Sequence, residues 1–168
     1  MQLKRTHHDG VALLEALMAL LLLASGVLAS LWLQQIGLQT QRQQVNRSIA
    51  MGLADDLAER MRLNASQTAL YTRTWGTAAR SVTPDCTALA CSRSDLALWD
   101  MAQLQQALST QLPQGDAAVF ALSGPSGWWG VVVAWHDSGE TYRTDTAWGS
   151  PACPSAMSCW RLLFRPSW

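Results

Sequence analysis

From Ala16 to Leu33 the chain carries no charged side chain, and Val11–Leu14 extend the apolar run on the other side of a single carboxylate, Glu15. A stretch of that length and composition is close to what an α-helix needs to cross a bilayer. A carboxylate at the centre of such a span costs about 3 kcal/mol. Any fold must therefore place this segment in lipid or against other apolar surface, and must give Glu15 a use. Lys4 and Arg5 precede the run, so the excess of positive charge keeps the N-terminus in the cytoplasm and sends everything after Leu33 outward. With 168 residues in all, the part of the chain beyond the span is enough for one modest globular domain.

An ordinary secretory signal competes with this reading, and Val27-Leu28-Ala29 would be its cleavage site. The apolar run is too long for one, and the helical pattern continues past Ala29. Beyond Leu33 the spacing becomes amphipathic: Val45, Ile49, Leu53, Leu57 and Met61 recur every four residues, and Arg42, Arg47, Asp55, Asp56, Glu59, Arg60 and Arg62 occupy the other side. Asp56 and Arg60 are placed for an i,i+4 ion pair. The glutamine-rich "QQIGLQTQRQQ" between the two patterns is polar yet compatible with a helix, so one helix from Leu13 to Leu63 would be roughly 75 Å long.

Residues 65–93 lack periodicity and read as a loop. Asp95 is placed to cap the next helix, whose core face is Ala97, Met101, Leu104, Leu108 and Leu112, and Pro113 and Gly115 end it. "AAVFAL" (117–122), "WWGVVVAW" (128–135), "ETYRT" (140–144) and "CWRLLFR" (159–165) are strand-like and separated by turn residues. The expected fold class is α+β, a long N-terminal helix packed on a small antiparallel sheet of three or four strands.

The four cysteines, Cys86, Cys91, Cys153 and Cys159, fall in two close pairs beyond the membrane span, where an oxidising compartment favours disulfides. Local pairing, Cys86 with Cys91 and Cys153 with Cys159, is the expectation, although four cysteines allow three connectivities. The C-x4-C and C-x5-C spacings match no common zinc site and neither is C-x-x-C, so no metal and no thiol redox chemistry is expected. Charge is balanced, with no basic cluster outside the N-terminus, which gives no groove for nucleic acid. "SGPSGWWG" lacks the G-x-S-x-G order of a nucleophile elbow, and His136-Asp137-Ser138 reads as a polar turn. The chain is read as no enzyme and as needing no cofactor. Trp99, Trp128 and Trp135 fit packing positions, Trp32 fits the membrane interface, and Trp148 and Trp168 could anchor a partner if exposed.

Gly10 and Glu15 acquire a common meaning through resemblance. The stretch "G-VALLE" (10–15) resembles the class III signal of type IV pilins, a short basic leader ending in glycine with glutamate at mature position five. The segment "LA-x-x-L-x-x-R-M-R-x-N" (53–64), the C-x4-C pair and "SDLALWDMAQLQQALSTQLPQGDAAV" further resemble minor pilins of the PilV type, the group called type IV pilus modification proteins. The resemblance implies a prepilin leader over residues 1–10, a transmembrane and filament-core helix over 11–33, and a head over 34–168 that includes the amphipathic half of the stem helix. It implies cleavage between Gly10 and Val11 by a prepilin peptidase at the inner membrane, followed by N-methylation. It also gives Glu15 its use: in a filament of stacked helices its carboxylate can neutralise the new α-amine of a neighbour, a pair worth far more in low dielectric than in water. The implied function is that of a minor pilin priming a type IV pilus or joining its tip. The implied partners are the major pilin, other minor pilins and a tip adhesin, first at the inner membrane and then at the cell surface. Two rival readings are a minor pseudopilin of a type II secretion system and a plain membrane-anchored extracytoplasmic binding domain. Position one is Val11 where phenylalanine is usual, and the first proline is Pro84, so the stem lacks the proline common in major pilins. Taken singly, Arg60, Met61, Arg62 and Asn64 read most simply as a solvated helix end.

Overall fold

The computed structural model describes residues 9–78, 85–123, 127–137 and 151–166. Helix α1 runs over Asp9–Leu63, a short 3-10 helix over Ala65–Tyr71, and helix α2 over Arg93–Gln111. Strands β1 (Asp116–Ala121), β2 (Trp129–Trp135) and β3 (Ser158–Phe164) come next in chain order. The chain divides into two compact units, Met1–Arg42 and Gln43–Trp168. In the first, α1 is apolar and uncovered. In the second, the rest of α1, α2 and the sheet build one core.

The sheet is an antiparallel meander in the order β1-β2-β3. Val119 lies opposite Val131, and Trp129 and Trp135 lie opposite Phe164 and Ser158. The inner face presents Ala117, Val119, Val131, Val133, Trp135, Trp160, Leu162 and Phe164 to α1 and α2. Those helices contribute Ala50, Ala54, Leu57, Ala58 and Met61 from α1 and Ala97, Leu104 and Leu108 from α2, joined by its C-cap Leu112. The α1 side of this core is thus broader than the expected ridge, since Ala50, Ala54 and Ala58 are buried beside Leu57 and Met61. Val45 is exposed and takes no part. Trp135 is buried, whereas Trp99 and Trp128 are half-buried; Trp148 and Trp168 lie outside the described residues.

β2 reads as a continuous apolar run because both its faces are covered. On the outer face the Phe120 ring lies over Gly130, so close that a Cβ there would come within 2.4 Å of Phe120 Cζ. Arg161 stacks on that ring at 5.4 Å and donates to the Pro151 carbonyl at 2.7 Å. Burial pulls the Arg161 guanidinium below its ordinary pKa. Trp75 Nε1 donates to the Ala152 carbonyl, which ties the segment beyond the 3-10 helix to the segment before β3.

The start of α2 departs from the sequence expectation. Ser92 is the N-cap and Asp95 sits three residues on: Asp95 N donates to Ser92 Oγ at 3.1 Å, and Ser92 Oγ donates to the Asp95 carboxylate at 2.6 Å. The hydroxyl wins the cap position because the helix begins at Arg93, one turn before Asp95 could start it. The far end stops at Pro113-Gln114-Gly115. Gly115 is required there, since a Cβ would stand 2.4 Å from the Leu108 carbonyl oxygen. The loop expected over 65–93 contains the 3-10 helix and an isolated antiparallel bridge from Arg73 to Val119 on the edge of β1. The β1, β2 and β3 bounds lie within one residue of the strands read from sequence, while "ETYRT" (140–144) lies outside the described residues.

Candidate functional site

Within Met1–Arg42, α1 passes through Gly10 and Val11 and exposes Leu13, Leu17, Leu20, Leu21, Leu28, Leu31 and Trp32, each more than half exposed. Its most apolar window has a mean hydropathy of 2.3 and no share buried, the length and composition of a membrane span. Glu15 is exposed among these side chains and has no ion-pair partner among the described residues. Ser25 and Ser30 satisfy their hydroxyls on the helix's own carbonyls, at Leu22 and Gly26. Such self-satisfaction lets polar residues sit in an apolar medium at low cost. From Ala12 to Leu33 the surface is thus one that water disfavours, with Glu15 its one charged side chain.

In the second unit, the residues that close α1 are built into the core. Asn64 is 1% exposed; its Nδ2 donates to the Arg93 carbonyl at 2.8 Å and to the Tyr71 hydroxyl at 3.3 Å. The Tyr71 hydroxyl donates in turn to Asp100 Oδ2 at 2.7 Å, and Arg60 Nη1 donates to Asp100 Oδ1 at 2.9 Å. Arg60 also reaches Asp56 at 2.8 Å, the i,i+4 pair read from the sequence. The hydrogen bonds to Asp56 and Asp100 hold the Arg60 guanidinium above its ordinary pKa, with that to Asp56 the larger and burial opposing both. Burial and the bond to Asp100 raise the Tyr71 phenol well above its ordinary value.

The solvated helix end expected for this segment is therefore corrected: Asn64 is buried and Arg60 bridges α1 to α2, while the burial of Met61 is what its place on the amphipathic ridge predicts. Asp100 is the centre of this network, here called the latch; its signal in the sequence is an aspartate on the apolar face of α2, between Ala97 and Leu104, which names no partner. Arg62 keeps a surface role, paired with Glu59 and stacked over Phe164 at 5.5 Å.

A second buried polar group secures the edge of β1. Arg73 is 7% exposed; its guanidinium donates to the carbonyls of Ala117 and Thr77 and to Asp116 Oδ1, while Asp116 Oδ2 accepts from Gly76 N. Cys86 is bonded to Cys91 and Cys153 to Cys159, with Cα separations of 5.4 and 6.0 Å. The first ring is preceded by an Asx-turn in which Asp85 Oδ1 accepts from the backbone and hydroxyl of Thr87, which lowers the Asp85 pKa.

No group of three or more His, Cys, Asp or Glu side chains among the described residues is placed to hold a metal ion. His136 gives its backbone N–H to the Pro113 carbonyl at 2.8 Å, a tie between the end of β2 and the turn after α2. The buried polar side chains thus serve packing, and the surface with unmet physical demands is the apolar helix.

Comparison with known proteins returns a match to a family model. Residues 32–102 match the family of Tt1218-like proteins, described as type IV pilin Tt1218. The match begins at the end of the apolar run and reaches into α2, so it contains Arg60, Asn64, Tyr71 and Asp100. It covers less than half of the chain and supports a general likeness to type IV pilins. No curated protein and no solved structure matches the chain.

Proposed function

We propose that this chain is a minor pilin, a membrane-held precursor that is cleaved between Gly10 and Val11 and then enters a type IV pilus through its stem helix. The observation that carries the reading is the conjunction on one helix of an uncovered, membrane-length apolar surface and a single unpaired carboxylate five residues after Gly10. As a monomer in lipid this arrangement bears the full cost of Glu15. Beside a second processed stem, the neighbour's α-amine offsets that cost and fixes the register. The match to type IV pilins over residues 32–102 supports the same reading from the opposite end of the helix.

On this proposal residues 1–10 are the leader, 11–33 the filament-core and transmembrane segment, and 34–168 the head, with the precursor's N-terminus in the cytoplasm and the head outside. The head, held by the Asp100 latch and the two disulfides, is what neighbouring pilins and a tip adhesin would meet. The PilV-type assignment rests on the R-M-R-x-N segment and the tryptophan-bearing helix α2. The test is an intact mass of the membrane-extracted protein together with an inventory of sheared surface filaments. A mature chain beginning at N-methylated Val11 and found in sheared pili is expected. An N-terminus at Met1 or Ser30 would overturn the processing, and recovery only with a secretion apparatus would reassign the machine.

A further inference from the structure

We propose that the Cys153–Cys159 bond is a releasable clasp: its reduction by a dithiol frees the strap Pro151–Cys153 and uncovers an apolar patch on the outer face of the sheet, while the core of the head stays folded. The clasp goes beyond the assembly reading and does not rest on it, since every residue involved lies in the second unit, Gln43–Trp168.

Strand alternation sets the patch. Ala118, Val132 and Ala134 are 1%, 2% and 0% exposed, yet they alternate with the residues that build the core and are not among them. The register places Ala118 beside Val132, Val132 beside Arg161, and Ala134 beside Cys159. Cys159 and Arg161 therefore stand on the same face as the patch, the one turned away from α1 and α2. Three consecutive residues of the strap are held over that face by three different groups. The Pro151 carbonyl accepts from the Arg161 guanidinium at 2.7 Å, the Ala152 carbonyl accepts from Trp75 Nε1 at 3.1 Å, and Cys153 is bonded to Cys159.

The first two ties are single hydrogen bonds from half-buried side chains, and water can replace them at small net cost. The third is covalent, and closing so short a ring favours the held strap by up to roughly 50-fold. The bond is thus the tie whose loss shifts the balance. The ring also carries local strain: Ala156 has φ 60°, in the left-handed region that alanine rarely enters, and both it and Ser155 are exposed, which leaves a dithiol an approach. One thiolate of the dithiol attacks a clasp sulfur, the S–S bond breaks, and a mixed disulfide forms; the second thiolate then displaces the protein sulfur. The reagent leaves as its own disulfide, two electrons pass to the cysteines, and the two thiol protons end on Cys153 and Cys159. Cys86–Cys91 has a different setting, a ring in the loop that precedes α2.

The test places a thiol probe on each face of β2 in full-length protein in detergent: Val132→Cys on the outer face and Val133→Cys in the core, where the native side chain is 0% exposed. Maleimide labelling is compared between chains with both native pairs, verified by peptide mapping, and chains carrying Cys153→Ser with Cys159→Ser. Labelling at Val132→Cys faster by about tenfold or more without the clasp, with Val133→Cys unchanged, is expected. Equal acceleration at both positions makes the bond a global staple, and no acceleration at Val132→Cys means the face stays covered without it; either result overturns the clasp. Cys86→Ser with Cys91→Ser should leave Val132→Cys unchanged, and acceleration equal to that from the other pair also overturns it. As a second measurement, the unsubstituted chain is reduced with dithiothreitol and followed by hydrogen exchange. The Met157 amide, bonded to the Pro154 carbonyl inside the ring, should exchange about tenfold faster while the Val131 and Val133 amides keep their protection. Parallel loss of protection in β2, or no change at Met157, overturns the clasp as well.

Discussion

Replacing Tyr71 by Phe removes one oxygen from the junction of α1, the 3-10 helix and α2, and the geometry there sets the size of the effect. Tyr71 is 0% exposed, so the ring stays packed and no cavity larger than a hydroxyl forms. Two bonds are lost, the donation to Asp100 Oδ2 at 2.7 Å and the acceptance from Asn64 Nδ2 at 3.3 Å. The second matters little, since Nδ2 keeps the Arg93 carbonyl at 2.8 Å. The first is a short bond to a carboxylate whose side chain is 4% exposed, and such bonds are worth roughly 1.5–3 kcal/mol. Arg60 still neutralises Asp100 through Oδ1, which puts the expected loss near the middle, about 2 kcal/mol. For a domain of this size that lowers the melting temperature by about 6–10 °C.

A second signature separates this hydrogen bond from mere packing. The folded-state pKa of Tyr71 is raised above its ordinary value of 10.0, so the folded chain holds the phenol proton more tightly than the unfolded chain does. Stability from this group is complete below pH 10 and falls as pH rises beyond it, by about 1.4 kcal/mol per unit while the folded phenol stays protonated. Urea unfolding of full-length protein in detergent, monitored by tryptophan fluorescence from pH 7 to 11, should show that decline in the wild type and a flatter profile in Tyr71→Phe. A Tyr71→Phe variant within 0.5 kcal/mol of wild type at pH 7, or one with an unchanged alkaline slope, would refute the latch.

Gly130→Ala should destabilise by about 1–3 kcal/mol, because its Cβ meets the Phe120 ring, and Phe120→Leu in the same chain should recover part of that in the same unfolding assay. Arg73→Ala leaves Asp116 without its cation and the Ala117 carbonyl without its donor; a loss of about 3–5 kcal/mol is expected, with hydrogen exchange accelerating first at the Arg73–Val119 bridge. Glu15→Gln keeps size and removes charge, so membrane insertion should be unchanged or better by up to about 3 kcal/mol while the variant disappears from sheared pili. Its presence there at the wild-type ratio to the major subunit would discard the electrostatic account.

The parts of the fold legible in the sequence are those in which one physical demand dominates a stretch. The apolar run, the amphipathic spacing of Leu53, Leu57 and Met61, and the β-branched block of β2 each repeat one signal over several turns or a whole strand, so neighbours agree. Where the sequence misleads, two demands compete. Asp95 is a good N-cap by type, but Ser92 three residues earlier is too, and the hydroxyl and carboxylate together make a reciprocal box that starts the helix earlier. Ala50, Ala54 and Ala58 are silent because alanine reads as helix filler, and only the approach of the sheet and α2 makes its small size a packing requirement.

The closing segment of α1 shows the limit most plainly. Arg60, Arg62 and Asn64 are polar and end a helix, which by local rules means solvent. The burial of Asn64 and the anchoring of Arg60 depend on Asp100, forty residues beyond Arg60, and on Tyr71, and no local pattern connects them. A buried polar network is visible in sequence only as residues that violate the apolar pattern without an evident reason. Glu15 is the reverse case. It too violates its surroundings, yet among the described residues nothing within its own chain answers it with charge. Asp100 is satisfied within its own unit, whereas Glu15 has no charged partner among the described residues. On the proposed function the counter-charge of Glu15 is the α-amine of a neighbouring stem, so that one carboxylate would serve the fold and the other assembly.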